Sequence, residues 1–441
     1  MAQATVHFPR GFLWGTATSS HQVEGNNTNN QWWQWEQDGH TLDKSGLACD
    51  WWGGRWKEDM DRAAEGGQNA HRFSVEWSRI QPEPGRWDED ALERYRAMLR
   101  GMIDRGLSPL VTLHHYADPL WLAQMGGWET EAVVPLFEKY VRKVVEALQE
   151  YATTWCTVNE PNVYAVAGYL GQGFPPGKND RKLAVQVLAN LLRGHAAAYR
   201  AIHEIQRDAR VGYALHYRPM LAARSWWPPD RWARNLVHKQ LNLGFPAGIS
   251  GGVLRSPLGN VSVPEARNTQ DYVGLNYYTV ETVAFDLRNR KEFFIRHFFP
   301  EGADLSPDNF AANIPTGLFD SIKWATKAFP DLPILITENG VPDPDDRLRP
   351  RYIAQHIHQL WYAVNLNWPV KGYYHWSLAD NFEWERGWSQ RFGLWGLDVE
   401  TQARIRRPSA DLYAEICREN GLSSEMVAKY CPEVLEKEFP D

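Results

Sequence analysis

The chain has 441 residues, enough to bury a large core as one big barrel or as two smaller domains. A hydrophobic share of 43% and a charged share of 23% are those of an ordinary globular protein rather than a disordered or membrane-spanning one. The net charge of −7 comes without a basic block, which speaks against a nucleic-acid or anionic-membrane surface and for a neutral or small-molecule partner.

The first apolar run, 11–17, predicts a strand that leads into a polar segment holding Gln22. A long polar loop dotted with tryptophan follows over 26–52, then a helix over 56–65 and a second strand over 69–77 that carries Arg72. Asp88 is placed to cap a helix running to about Arg105, where Gly106 stops it. The third strand, 109–115, ends at His115. After helical periodicity over 131–150, a fourth strand over 153–160 delivers Asn159 and Glu160 to its end, and Pro161 forbids simple continuation.

The alternation continues with a helix over 181–207, a strand over 210–216, a helix over 229–243 and a sixth strand over 271–278 holding Asn276 and Tyr278. The stretch 279–313 fits no regular element. Its length and its aromatic, charged run from Lys291 to Phe299 predict an excursion over a site rather than a linker. A helix over 317–329 precedes the seventh strand, 332–338, which stops at Glu338 with Asn339-Gly340 turning the chain. A helix over 351–367, an eighth strand over 370–378 containing Trp376 and a helix over 409–420 complete the pattern. The tail, 422–441, reads as a peripheral surface helix with a frayed end.

Eight strands alternating with eight helices predict an α/β fold, a single (β/α)8 TIM barrel with extended βα loops, spanning 1–441 as one domain. An open doubly wound sheet would want a glycine-rich phosphate turn after the first strand, and Gly11-Phe-Leu-Trp-Gly15 is no such turn. The four cysteines, Cys49, Cys156, Cys417 and Cys431, are too widely spaced for a metal framework or a disulfide scaffold. With no signal-peptide pattern in the first eight residues and no long apolar span, the expectation is a cytoplasmic protein, monomer or homo-oligomer, without metal or cofactor.

In such barrels the active groups project from the C-terminal ends of the strands. The polar residues there are Gln22, Arg72, His115, Asn159, Glu160, Asn276, Tyr278, Glu338 and Trp376. Each has an ordinary reading: Arg72 as an ion-pair residue, His115 as a satisfied core histidine, Asn-Glu-Pro as a capping turn. Their convergence on one rim is what points to chemistry. Two glutamates at strand ends suit glycosidic cleavage, where one protonates the leaving oxygen and the other meets the oxocarbenium-like carbon. The same pair could hold a divalent metal, but Asn159, Pro161 and Asn339 are poor company for one. The 22 tryptophans fit sugar stacking, though indole also fills large cores.

Six motifs carry a resemblance. They are Phe12-Leu-Trp-Gly-Thr-Ala-Thr-Ser-Ser with Gln22-Val-Glu-Gly25, Arg72-Phe-Ser-Val-Glu-Trp-Ser-Arg79, Thr157-Val-Asn-Glu-Pro161, Gly274-Leu-Asn-Tyr-Tyr278, Ile336-Thr-Glu-Asn-Gly340 and Trp376-Ser-Leu-Ala-Asp-Asn-Phe-Glu-Trp384. In this order, from Phe8 to about Tyr413, the chain resembles glycoside hydrolase family 1, the β-glucosidases and β-glycosidases.

The resemblance implies a retaining double displacement on terminal β-D-glucosides, with side activity on β-galactosides or β-fucosides and cello-oligosaccharides among the substrates. Glu338 would be the nucleophile and Glu160 the acid and then the base, with carboxyls roughly 5–5.5 Å apart. Arg72 and Tyr278 would hold Glu338 ionised, while burial and the Glu338 charge would raise Glu160. Gln22, His115, Asn159, Glu383 and Trp384 would bind the glycone hydroxyls, Trp376 would lie under the sugar, and Asn276 would support the end of strand six.

Departures refine this reading. Asn381-Phe-Glu-Trp-Glu-Arg-Gly-Trp388 lacks the phosphate-binding set of the 6-phosphoglycoside branch, which favours a neutral glycone. Position 160 is Glu rather than the Gln of the thioglucoside branch, which favours O-glycosides. His21 in place of Tyr, Ala311 in place of an aglycone-side Trp, and Trp395-Gly396 in place of Val-Tyr leave the rim and the aglycone preference open. A transglycosylase would use the same two glutamates with a sugar acceptor. A non-catalytic sugar-binding relative is disfavoured, because both carboxylates are present.

Overall fold

The structure, a computed structural model, describes residues 4–290 and 293–440. Eight parallel strands close into a barrel: β1 Leu13–Ala17, β2 Ala70–Ser74, β3 Ser108–His114, β4 Thr154–Asn159, β5 Arg210–His216, β6 Val273–Tyr277, β7 Ile334–Asn339 and β8 Val370–Trp376. The closing pair, β8 with β1, sets Gly372 against Leu13 and Trp376 against Ala17. The fold class is therefore the (β/α)8 barrel read from the sequence.

Each strand is buried on both faces, and its residues divide by their period of two. In β3, Leu110 joins the cluster that fills the barrel interior, with Ala17, Ala70, Cys156, Ala214, Leu335 and Tyr374. Val111 and Leu113 belong to the larger core between the strands and the surrounding helices. Those helices are α1 Trp56–Glu65, α2 Glu89–Ile103, α3 Val133–Leu148, α4 Arg181–Ile205, α5 Pro228–His238, α6 Pro315–Ala328, α7 Arg349–Asn365 and α8 Pro408–Glu419. In α3 the buried stripe Val133, Phe137, Tyr140, Val141, Val144 and Leu148 follows the helical repeat. Each large apolar side chain there contributes ~1.5–3 kcal/mol by burial. Asp88 caps α2 by accepting from the Ala91 amide at 2.9 Å, an interaction worth ~1 kcal/mol.

Four stretches differ from their predicted form. The loop over 26–52 contains a short helix, Gln31–Gln37, because Asn30 Oδ1 accepts from the Trp33 amide at 2.8 Å and starts it. The chain after α5 continues through a π turn, Lys239–Leu243, into a further helix, Gly244–Gly251. The unassigned stretch 279–313 forms two antiparallel hairpins, Glu281–Phe285 with Ile295–Phe298 and Asp304–Leu305 with Ala312–Asn313. Lys291 and Glu292, at the start of its aromatic run, lie outside the described residues.

The tail is fastened rather than frayed. Gly421–Ser423 pairs antiparallel with Thr5–His7, and Met426, Val427 and Cys431 are buried. Glu438 accepts from His358 Nδ1 at 2.5 Å and from Gln355 Nε2 at 3.1 Å, which ties the last turn to α7. Asp441 lies outside the described residues.

The register of the barrel is irregular in several places, and two of them matter for the site. It shifts between Cys156 and Asn159 against β5, and again around Glu338 against β6 and β8. Bulges of this kind re-aim side chains at the end of a strand.

Candidate active site

The two glutamates leave bulged strand ends and face one another across the barrel mouth. Glu338 lies within β7, whereas Glu160 follows β4 in the left-handed region, with φ +43°, and immediately precedes Pro161. Asn339 remains in the strand, its Nδ2 donating to the Tyr277 carbonyl oxygen at 2.7 Å. Gly340 is required by close approach: a Cβ there would run into the Trp376 carbonyl oxygen.

Arg72 is the hub. It is completely buried, and its Nη1 donates to Glu338 Oε1 at 2.5 Å and to the Thr337 carbonyl oxygen at 3.2 Å. Its Nη2 donates to Asn159 Oδ1 at 2.6 Å, and its Nε to Thr112 Oγ1 at 3.1 Å. The Tyr278 hydroxyl donates to Glu338 Oε2 at 2.6 Å, so both oxygens of that carboxylate are held.

Glu160 has its own set of donors. Asn276 Nδ2 reaches Glu160 Oε1 at 2.8 Å and Asn159 Oδ1 at 3.2 Å, while its Oδ1 accepts from Thr337 Oγ1 at 2.6 Å. His216 Nδ1 meets Oε1 at 3.2 Å, and the Tyr116 hydroxyl donates to Oε2. A continuous chain of hydrogen bonds, Glu338–Arg72–Asn159–Asn276–Glu160, therefore links the two carboxyls.

A cavity of about 230 Å³ opens over this pair. It is lined by His115, Asn159, Tyr278, Trp376, Glu383 and Trp384, together with Val163, Phe174, Arg218 and Phe310. The His115 and Trp384 rings lie near parallel at 6.0 Å, as do those of His115 and Trp376. Asn159 Nδ2 donates to His115 Nε2 at 3.0 Å, which fixes the tautomer with hydrogen on Nδ1. Burial, with the charge of Arg72, keeps the His115 ring neutral. Its Nδ1 has no protein partner among the described residues.

Of the residues singled out from the sequence, Arg72, Asn276 and Gln22 stand behind the wall rather than in it. Gln22 is fully buried, its Nε2 donating to Glu383 Oε2 at 3.1 Å, to Asn381 Oδ1 at 3.0 Å and to the Phe382 carbonyl oxygen at 2.8 Å. It braces the loop that carries Glu383. Burial, reinforced by the charges of Glu385 and Glu338, raises the Glu383 carboxyl well above the usual range. His21 occupies its unusual place by pairing with Glu36 at 2.8 Å and stacking on Trp384 at 5.8 Å. Ala311 is buried beneath the surface, and its neighbour Phe310 supplies the aromatic side chain to the cavity wall.

Sequence reasoning passed over two contacts of Glu160. Tyr116 directly follows His115, and His216 closes β5, so the rule of reading the strand ends in order would have found the second. These contacts alter the electrostatics. Burial works to raise Glu160, but His216, Tyr116 and Asn276 outweigh it and draw the carboxyl below its ordinary range. Burial and the facing Glu160 charge push Glu338 up to about 7, against the pull of Arg72 and Tyr278. The free site thus reverses the order expected from the sequence. As a pair, the two carboxyls hold one proton up to about pH 7.

Comparison with known proteins places this geometry. The model of glycosyl hydrolase family 1 matches residues 4–245 and 260–422. The chain belongs to glycosyl hydrolase family 1. Among relatives in this family, β-glucosidase A of Thermotoga maritima is 31% identical, over 94% of this chain and 98% of its own. A β-galactosidase of Sulfolobus acidocaldarius is 30% identical, over 96% of this chain and 97% of its own. The structure of a β-glycosidase from Pyrococcus horikoshii superposes with a TM-score of 0.90 at 36% identity, covering 97% of this chain and 98% of that one. Family 1 relatives thus include both glucosidases and galactosidases, and they support glycoside hydrolysis as the general activity. Among the described residues, no helix is long and apolar enough to cross a membrane.

Proposed function

We propose that the protein is a retaining β-glycosidase that hydrolyses terminal non-reducing β-D-glucosyl residues by double displacement, with β-galactosides and β-fucosides as side substrates. The observation that carries this reading is the unequal holding of the two glutamates. A permanent cation, Arg72, grips Glu338 Oε1 at 2.5 Å, while Glu160 is held by Asn276, His216 and Tyr116, none of them a permanent cation.

In the first step Glu338 attacks the anomeric carbon and Glu160 gives its proton to the departing oxygen, leaving a glycosyl ester on Glu338. The pair shares one proton, and the reacting tautomer is the one with that proton on Glu160, in which Arg72 holds Glu338 as the anion. Tyr278 stabilises that anion and must release it as the ester forms. Esterification removes the charge that faced Glu160, so Glu160 ionises and takes a proton from the attacking water in the second step. Glu383, Asn159 and His115 line the sugar side with acceptors and donors, and Trp376 offers an indole face.

The same reading takes cello-oligosaccharides and other small β-glucosides as substrates, with a role in cytoplasmic cellulose breakdown. Transfer to a sugar acceptor would use the same ester and is resolved by the products. A panel of aryl β-glycosides with cellobiose, following free sugar and transfer products together, tests the proposal. Glucosides should be turned over fastest with glucose as the main product. A panel on which no β-glucoside is cleaved would overturn it.

A further inference from the structure

Resting on the reading of Glu160 as the acid, we propose that His216, set in one tautomer by Arg218, is a positioning residue that occupies Glu160 Oε1 and leaves Oε2 to carry the transferable proton. Arg218 Nη2 meets His216 Nε2 at 3.3 Å. A guanidinium only donates, so Nε2 accepts and the ring hydrogen sits on Nδ1. That hydrogen points at Glu160 Oε1, 3.2 Å away. Asn276 Nδ2, also only a donor, meets the same oxygen at 2.8 Å.

Two donors on Oε1 leave no room there for a proton that has to be given away. Oε2 meets the hydroxyl of Tyr116, a group that either donates or accepts, so this oxygen takes up and releases a proton without stranding its partner. The departing glycosidic oxygen then approaches from the Oε2 side. His216 and Arg218 both line the cavity, so the relay faces the space that the substrate would enter.

The groups that face His216 are few. Glu160 lies on one nitrogen and Arg218 on the other, and the Tyr278 ring is stacked at 6.0 Å and 19°. Glu281, 3.7 Å from Arg218 Nη1, balances the guanidinium and in turn meets His297 Nδ1 at 3.1 Å. The hydrogen bond from His216 draws the Glu160 carboxyl downward. Removing its donor therefore makes Glu160 hold its proton to higher pH.

The test is the alkaline limb of kcat/KM on cellobiose, a substrate whose leaving group needs the acid. His216→Leu should move that limb up by about one pH unit, roughly a tenfold gain in proton affinity. His216→Asn, which presents an amide donor where Nδ1 stood, should return it toward wild type. Nitrogen NMR of labelled wild-type protein, with His216 assigned by difference from the Asn variant, should give Nδ1 the protonated signature and Nε2 the bare one. An unmoved limb in a His216→Leu variant of normal melting temperature, or the opposite nitrogen pattern, would overturn the proposal. The parent reading is checked separately: Glu160→Ala with azide and an activated aryl glucoside should yield a glycosyl azide of retained configuration. If it does and the limb stays fixed, only the role of His216 falls. If no azide product forms, the acid assignment falls with it.

Discussion

Arg72 and Glu338 are joined at 2.5 Å, from β2 to β7 across the barrel interior, with the guanidinium wholly removed from water. The same guanidinium holds Asn159, the residue before Glu160, so one cation sets the position of both carboxyls. Replacing it with Met leaves Glu338 buried without its charge partner. Breaking a buried pair on one side costs ~3–5 kcal/mol. Arg72→Met should therefore melt at markedly lower temperature and lose at least ~10²-fold in kcat/KM on an aryl β-glucoside, as a positioned charge in a dry site does when removed. Thermal melting and initial rates on the same preparation check both parts.

Glu160→Gln separates the two steps. An unactivated glucoside should be turned over about 10²–10⁴-fold more slowly, because the leaving oxygen goes without its proton. An activated aryl glucoside should still form the ester on Glu338, which then accumulates because no base serves the water. Mass spectrometry of the denatured protein during turnover should show the added glycosyl mass.

The pH dependence follows from the pair. The working form holds one proton on the two carboxyls, and the free site gives that proton up at about 7. Raising the pH through about 7 leaves both groups ionised, with no acid for the leaving oxygen. For unactivated glucosides kcat/KM should therefore fall on the alkaline side with an apparent pKa near 7. A rate profile on cellobiose at constant ionic strength measures it.

Much of this was legible in the chain itself, and the reasons are physical. Strands buried on both faces read as apolar runs, so β3, β4 and β7 could be placed to within a residue or two. A barrel puts strand ends on one rim, so Arg72, His115, Glu160, Tyr278 and Glu338 could be grouped before any contact was known. What periodicity does not encode is register. The bulges at Cys156–Asn159 and around Glu338 decide where the carboxyls point, and no residue pattern announces them. The proton order was misread for a related reason: it depends on His216 and Tyr116, whose contacts with Glu160 arise only once β3, β4 and β5 are side by side. The hairpins over 281–313 were hidden because their strands run for only two to five residues, too short for an alternation to show.

Gly340 ties the fold to the site. A methyl group at that position meets the Trp376 carbonyl oxygen on the neighbouring strand, and backbone does not yield as a flexible side chain would. Gly340→Ala should cost about 1–3 kcal/mol of stability. It should also lower kcat, because β7 and β8 carry Glu338 and Trp376. Denaturant unfolding and steady-state kinetics together give both numbers.

The central claim is that Glu338 attacks the anomeric carbon, and Glu338→Ala tests it most directly. The variant should fold, as shown by its circular dichroism, and should retain less than about 10⁻⁴ of wild-type kcat on an aryl β-glucoside. Added azide should enter the space left by the carboxylate and restore turnover, giving a glycosyl azide of inverted, α, configuration. A folded variant that azide does not rescue, or one that releases a β-glycosyl azide, would contradict the account.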